Sequence, residues 1–131
     1  MTGEVRRIDH VNIRTTRMEE SALFYQQLLG LTRSSPPGIT GVKAIWMLDG
    51  EGYPIVHLNA PPADEPLRAE NADTGRLHHV AFDCIGHDII KARLDAMGAD
   101  YECNLVESID LRQIFVFDPN GLRLELNFTG D

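Results

Sequence analysis

Ile8-Asp9-His10-Val11-Asn12-Ile13 has a counterpart 69 residues further along the chain, Leu77-His78-His79-Val80-Ala81-Phe82. Histidine aligns with histidine, apolar residues match on either side, and the alternation of residues that follows has the period of a β-strand. A match of this kind that recurs at a fixed spacing indicates a duplicated structural unit. The sequence therefore predicts two copies of one module.

The remainder of each copy keeps the same order of elements. Helical patterns over 18–29 and 88–97 carry apolar residues three or four positions apart and end at Gly30 and Gly98, as left-handed helix caps do. Apolar strands ending in polar turns follow, with a spacing between copies of 68 to 69 residues. These strands are predicted at 43–49 and 55–59 in the first copy and at 112–118 and 123–127 in the second.

This order predicts an α+β fold in which two βαβββ modules pair into a curved mixed sheet. Module 1 is expected at about residues 5–60 and module 2 at about 76–129, joined by a polar linker at 61–75, within a single domain of residues 1–131. The proline-containing stretch 34–41 is expected to be a loop flanked by a short irregular strand.

Composition narrows the class of function. A chain of 131 residues with 43% hydrophobic residues is large enough for one core, and its net charge of −8 without a basic cluster argues against nucleic acid as a partner. No apolar run approaches the length of a signal segment or membrane span, so we expect no membrane partner and a cytoplasmic location. Cys84 and Cys103 form no CxxC pair and are expected to stay reduced and buried.

Four potential metal ligands fall on matching strand faces. Side chains alternate across a strand, so His10 shares a face with Ile8 and Asn12, while the apolar neighbours face the helix layer. The same parity holds for His57, His79 and Glu125. Pairing of the two modules would bring the four side chains toward one point, and three histidines with one carboxylate suit a single divalent ion of Fe, Zn, Ni, Mn or Co better than Ca or Mg.

Each of these residues also has an alternative role. A carboxylate on an apolar strand needs a compensating cation, and Arg123, two residues before Glu125, is the alternative to a metal. His57 is either a ligand, an acid/base group or a structural residue. His78 has the opposite parity to His79 and is expected to face the helix layer or a subunit contact, and His87 is expected to precede a helix without a chemical role.

Substrate-binding residues are expected on the same face as the ligands: Asn12, Trp46, Asn59, Phe115, Arg123 and Asn127.

Over nearly its whole length the sequence resembles the vicinal oxygen chelate (VOC) superfamily, which includes glyoxalases, bleomycin resistance proteins and extradiol dioxygenases. The resemblance rests on IDHVNI and LHHVAF as opening strands, on SALFYQQLLGL as the first helix, and above all on FDPNGLRLELNF near the C-terminal end. It implies metal ligands at His10, His79 and Glu125, with the fourth family position at His57. Glyoxalase I-like members usually carry Glu at that position and acyl-CoA epimerase-like members Gln, so this histidine departs from both.

The resemblance implies a divalent-metal-dependent enzyme acting on a small molecule with two vicinal oxygens. The preferred hypothesis is a glyoxalase-like lyase or isomerase that proceeds through a metal-bound enediolate, with Glu125 or His57 as the catalytic residue that moves the proton. One alternative is a one-domain extradiol dioxygenase with Fe(II) on His10, His79 and Glu125, although extradiol enzymes generally have four modules and a tyrosine where this chain has Phe115. Another is a metal-free binding or resistance protein. A homodimer is also implied, with the site either within one chain or shared between two.

Overall fold

The computed structural model describes residues 2–37, 43–62 and 74–130. Backbone contacts divide the chain into two compact units, one formed by Met1–Gln26 with Gly30–Leu67 and the other by Gln27–Leu29 with Arg68–Asp131. Residues 63–73 of the predicted linker and residues 38–41 of the predicted loop lie outside the described part of the chain.

The first unit contains a four-stranded mixed sheet. Strand β1 (Val11–Arg14) is followed by helix α1 (Met18–Leu29) and then by β2 (Thr32–Ser34), β3 (Ala44–Leu48) and β4 (Pro54–Asn59). The strand order is β1-β4-β3-β2, in which β1 is parallel to β4 and the other neighbours are antiparallel. The short β2 is the irregular strand expected beside the loop at 34–41.

The second unit repeats this arrangement. Strand β5 (Val80–Asp83) leads into helix α2 (His87–Met97), followed by β6 (Tyr101–Val106), a 3-10 turn at Glu107–Ile109, β7 (Leu111–Phe117) and β8 (Arg123–Thr129). The order β5-β8-β7-β6 and the parallel β5–β8 pair correspond strand for strand to the first sheet. The predicted α+β fold of two βαβββ modules is confirmed, and β6 is a strand that the sequence pattern left unassigned.

Both helices end where the glycines predict. Gly30 and Gly98 are in the left-handed conformation, with φ of 68° and 66°, and each N–H donates back to a carbonyl of the last helical turn. Helix α1 has the predicted bounds. Helix α2 begins at His87, which was expected to precede it, and this residue is buried with its ring edge-on to Phe128 of β8. The start of α2 therefore packs on the apolar face of the second sheet.

Alternation of side chains gives each sheet one apolar face and one mixed face. The apolar face of the second sheet is fully buried at Leu124, Leu126 and Phe128, and that of the first sheet at Met47, Val56 and Leu58. The residues between them, including His57 and Glu125, are half-buried on the opposite face. The predicted faces of β4 and β8 are confirmed.

The opening strands are shorter than predicted. They begin at Val11 and Val80, where their ladders to β4 and β8 begin, rather than at Ile8 and Leu77. Ile8, which was expected to share a strand face with His10, is 86% exposed. His10 and His79 each lie one residue before a strand, where side-chain parity no longer determines direction.

One irregularity distinguishes the two sheets. Trp46 pairs with His57, eleven positions later, whereas Phe115 pairs with Glu125, ten positions later. The extra residue is absorbed by a register shift between Met47 and Leu48, beyond which Leu48 pairs with Pro54. This bulge explains why the spacing between the two copies changes from 69 to 68 residues.

Candidate metal site

Three aromatic rings are stacked on the mixed face of the first unit. The ring of His57 lies between those of Trp46 and His10, with centroid distances of 4.5 Å and 3.7 Å and interplanar angles of 16° and 11°. Strand pairing places Trp46 beside His57, and His10 directly precedes the strand on its other side. The first unit therefore brings two of the four predicted ligands into contact.

His10 is oriented by the residue that precedes it. Its Nδ1 atom is 2.6 Å from Oδ2 of Asp9, and because a carboxylate oxygen only accepts, the imidazole donates. This hydrogen bond lowers the pKa of Asp9 below its usual value. With Nδ1 engaged, Nε2 is the nitrogen through which neutral His10 can bind a metal ion.

His57 has a buried nitrogen without a partner. Within the described part of the chain, its Nε2 atom is shielded from solvent and makes no hydrogen bond. Burial lowers the pKa of His57, and the adjacent His10 lowers it further, so the neutral form with one lone pair predominates near pH 7. An unsatisfied buried polar atom is costly, which points to a ligand or proton at this position.

The second unit brings together the other two predicted ligands. Nε2 of His79 lies 3.7 Å from Oε1 of Glu125, whose side chain is largely buried with 17% exposed. Two ligand atoms held by one metal at about 2.0–2.2 Å are roughly 3.0–3.5 Å apart, so a small rotation brings this pair to coordination distance. The donor set within this unit suits a divalent cation.

Amide side chains hold the other oxygen of Glu125. Asn127 donates to Oε2 over 2.9 Å and accepts a 3.1 Å bond from Gln113, which in turn accepts a 2.8 Å bond from Asn104. These residues share a face across β6, β7 and β8, and we call them the amide row. The row leaves Oε1 as the carboxylate oxygen directed toward His79.

Arg123 is not the cation that compensates Glu125. Its guanidinium lies 4.6 Å from the ring centroid of Phe115, and its Nη1 atom is 3.4 Å from Nδ1 of His78. His78 was predicted to face the helix layer or a subunit contact. It is exposed and its Nδ1 atom lies 2.9 Å from Nδ1 of His79. The helix-layer alternative was wrong because His78 precedes the strand, where alternation does not apply.

Comparison with known proteins identifies the superfamily of this chain. Residues 7–126 match the model of the Glyoxalase/Bleomycin resistance protein/Dioxygenase superfamily. The chain belongs to this superfamily. It is 31% identical over 121 residues to the protein named "Glyoxylase I 4" of Arabidopsis thaliana, covering 91% of this chain and 68% of that one.

Solved structures of the superfamily share the fold. A glyoxalase/dioxygenase from Nostoc punctiforme superposes with a TM-score of 0.74 at 20% identity, covering 100% of this chain and 96% of the other. Lactoylglutathione lyase from Agrobacterium tumefaciens gives a TM-score of 0.66 at 17% identity, with coverage of 95% and 94%. At these identities the likeness concerns the fold alone.

The predicted ligands of this superfamily member thus form two pairs, His10 with His57 and His79 with Glu125. Within each unit, as far as its residues are described, no three His, Cys, Asp or Glu side chains cluster to hold a metal ion. The predicted substrate residues accompany these pairs: Asn12 donates to Asn59 over 3.2 Å, Trp46 covers His57, and Phe115 pairs with Glu125.

Neither described helix has the length and apolar character needed to cross a membrane.

Proposed function

We propose that this superfamily member is a divalent-metal-dependent enzyme that acts on a small molecule with two adjacent oxygens, as a glyoxalase-like lyase or isomerase. The observation that carries the proposal is the orientation of the donor atoms. Nδ1 of His10 and of His79 is hydrogen-bonded, Nε2 of His57 is buried without a partner in the described chain, and Oε1 of Glu125 approaches Nε2 of His79. Imidazole nitrogens combined with a carboxylate oxygen are a donor set for Fe, Zn, Ni, Mn or Co.

We assign His10, His79 and Glu125 as the metal ligands and His57 as the group that moves a proton. An imidazole lone pair lies in the plane of its ring, and the rings of His10 and His57 are nearly parallel at a centroid distance of 3.7 Å. One ion cannot lie in both planes unless a ring rotates. Because Asp9 fixes His10, His57 is the residue left to exchange a proton with the substrate.

When bound, the metal would act as a Lewis acid that stabilises negative charge developing on a substrate oxygen. The protein contributes the remaining steps. His57 accepts a proton at Nε2 from the carbon beside the carbonyl and returns it to the neighbouring carbon. Trp46 on one face of the His57 ring restricts its rotation.

Elemental analysis tests whether the protein binds a metal ion and whether His79 and Glu125 hold it. Purified wild type is expected to hold about one equivalent of a transition metal, while His79→Ala and Glu125→Gln lose most of it. Glu107→Gln is the control, because Glu107 lies in the exposed 3-10 turn of the same unit. Equal metal in all four proteins would exclude His79 and Glu125 as ligands, and absence of metal from wild type would favour a metal-free binding protein.

Proton exchange tests the reaction class. The metal-loaded enzyme is incubated with small hemithioacetals and α-hydroxyketones in D2O, and loss of the carbon-bound proton is followed by NMR. Exchange is expected with wild type and not with His57→Gln. Exchange that is undiminished in His57→Gln would remove the proton-transfer role of this residue.

A ring-cleaving dioxygenase is the second candidate, because the same stacking leaves His57 outside a two-histidine, one-carboxylate ligand set. That set is typical of non-haem Fe(II) oxygenases. Anaerobic reconstitution with Fe(II), followed by oxygen-uptake measurements with catechols, separates the two candidates. Uptake with ring cleavage would overturn the lyase or isomerase proposal.

The oligomeric state and location belong to the same proposal. We propose a homodimer, which light scattering of the purified protein should report as about twice the chain mass of 14.6 kDa. We also propose a cytoplasmic location, checked by cell fractionation. A monomer that retains metal and activity would place the complete site within one chain.

A further inference from the structure

Both metal-facing histidines contact the side chain of the residue immediately before them. Asp9 meets Nδ1 of His10 at 2.6 Å, and His78 meets Nδ1 of His79 at 2.9 Å. The two pairs occupy the same place in the duplicated modules, directly before β1 and β5. The equivalent position is thus occupied by a carboxylate in one copy and by an imidazole in the other.

The direction of the His78–His79 hydrogen bond follows from its surroundings. Arginine has no acceptor atom, so Nη1 of Arg123, 3.4 Å from Nδ1 of His78, can only donate to it. A protonated Nδ1 of His78 would direct its N–H at this cation, which favours an unprotonated Nδ1 whose one lone pair is shared by Arg123 and His79. The proton shared with His79 must belong to Nδ1 of His79, and neutral His79 then carries its lone pair on Nε2, the atom that approaches Glu125.

We propose that Asp9 and His78 are positioning residues that fix His10 and His79 in the Nδ1–H tautomer, with Arg123 holding His78 in the accepting state. This tautomer is the opposite of the one that a free histidine side chain mostly adopts in water. The link to a metal rests on the proposed function, whereas the tautomers are a property of the metal-free chain. Removing such an outer partner of a ligating histidine typically weakens metal binding about 10- to 100-fold.

Long-range ¹H–¹⁵N correlation NMR of metal-free, ¹⁵N-histidine-labelled protein measures the tautomers directly. In wild type, His10 and His79 are expected to show a protonated Nδ1 and an unprotonated Nε2. Asp9→Ala should return His10 alone to the Nε2–H form, and His78→Phe should do the same for His79 alone. His78→Asn offers a carbonyl acceptor in the same place and should restore the Nδ1–H form in part.

The chain supplies a matched control. Asp88 contacts Nδ1 of His87 at 2.8 Å from the position directly after the histidine rather than before it, at the start of α2 and on an element that carries no candidate ligand. Asp88→Ala should leave the spectra of His10 and His79 unchanged. Its affinity for Zn²⁺, measured by competition with a chromophoric chelator, should equal that of wild type, while Asp9→Ala and His78→Phe should bind Zn²⁺ about 10- to 100-fold more weakly.

The two readouts separate two kinds of failure. An Nε2–H tautomer at His10 or His79 in the wild type would overturn the positioning role, whether or not metal binds. Nδ1–H tautomers that depend on Asp9 and His78, in a protein that binds no Zn²⁺, would support the positioning role and overturn the proposed metalloenzyme. Zn²⁺ affinity lost equally in Asp88→Ala would mean that the losses are structural, which also counts against the proposal.

Discussion

The two halves of this chain build the same backbone and surround its equivalent positions with different side chains. His57 and Glu125 occupy equivalent positions on the closing strands, but His57 is enclosed in a stack of rings, whereas Glu125 is held by amides. Trp46 lies against His57, while its equivalent Phe115 carries the guanidinium of Arg123. A duplicated fold thus supplies two positions for donor atoms, and the residues beside each position determine whether it suits a base or an anionic ligand.

The largest expected effect comes from exchanging these two equivalent residues for glutamine. Glu125→Gln should lose most of its metal, whereas His57→Gln should keep its metal and lose about 10²- to 10⁴-fold in turnover, as expected for loss of a general acid–base group. Metal content and proton exchange are measured on the same preparations. Equal metal loss in both variants would show that the two halves serve alike as ligands.

Equivalent core substitutions in the two halves should lower the free energy of unfolding by similar amounts. Leu58 and Leu126 are equivalent and fully buried on the apolar faces of β4 and β8. Leu58→Ala and Leu126→Ala should each lower the free energy of unfolding by about 2–5 kcal/mol, measured by urea denaturation, because each leaves a cavity. Leu105→Ala is the control, since Leu105 is 51% exposed and its loss should cost far less. A difference of several kcal/mol between the two core variants would contradict equivalent packing.

The residues that follow β1 and β5 differ in whether their side chains can ionise. The N–H groups of Thr15 and Cys84 donate to the carbonyls of Asn59 and Asn127 in the two halves, but only Cys84 can ionise. Burial, with a smaller contribution from Asp83, raises the pKa of the Cys84 thiol to about 11. Since the thiolate reacts, alkylation of Cys84 at pH 8 should be on the order of a hundredfold slower than for an ordinary thiol and should accelerate as the pH rises toward 11.

Iodoacetamide labelling followed by mass spectrometry measures this rate, and a Cys103→Ser variant isolates Cys84. In wild type the exposed Cys103 should be labelled first. Cys103 was expected to be buried, and its position on the edge strand β6 corrects that expectation. Rapid labelling of Cys84 at pH 8 would contradict the raised pKa.

The smallest expected effect concerns the equivalent asparagines. Asn127→Leu removes the donor that holds Oε2 of Glu125 and should weaken metal binding about tenfold, as loss of a partner of a ligand does. Asn59→Leu breaks only the hydrogen bond with Asn12 and should leave the affinity within about a factor of two. Chelator competition measures both. Equal losses would show that the amide row does not act through Glu125.

Sequence periodicity was sufficient for the closing strands β4 and β8 because alternation is a property of the strand itself. It placed His57 and Glu125 on the mixed faces and gave the bounds of α1. Its helix-layer alternative for His78 was wrong, because this residue lies before the strand. It also missed β6, whose middle residues are exposed and therefore carry no apolar alternation. The spacing of His10 and His79 identified equivalent positions, but their directions depend on side-chain hydrogen bonds.

The partners of the candidate ligands were the least predictable part. Arg123 was the alternative to a metal as the partner of Glu125, because the two residues share a face two positions apart. The guanidinium instead stacks on Phe115, where it keeps contact with solvent and an aromatic face at once. The amide row joins three strands through side chains that are far apart in sequence, and periodicity contains no information on such contacts.

The bulge near the start of β4 has an evolutionary consequence. A one-residue insertion in a regular strand would turn His57 toward the opposite face, because successive side chains alternate. Here the insertion is confined between the hairpin turn and Val56, so the pairing of Trp46 with His57 is preserved. The hairpins of the two copies can therefore gain or lose residues independently after gene duplication while the donor-bearing positions stay aligned.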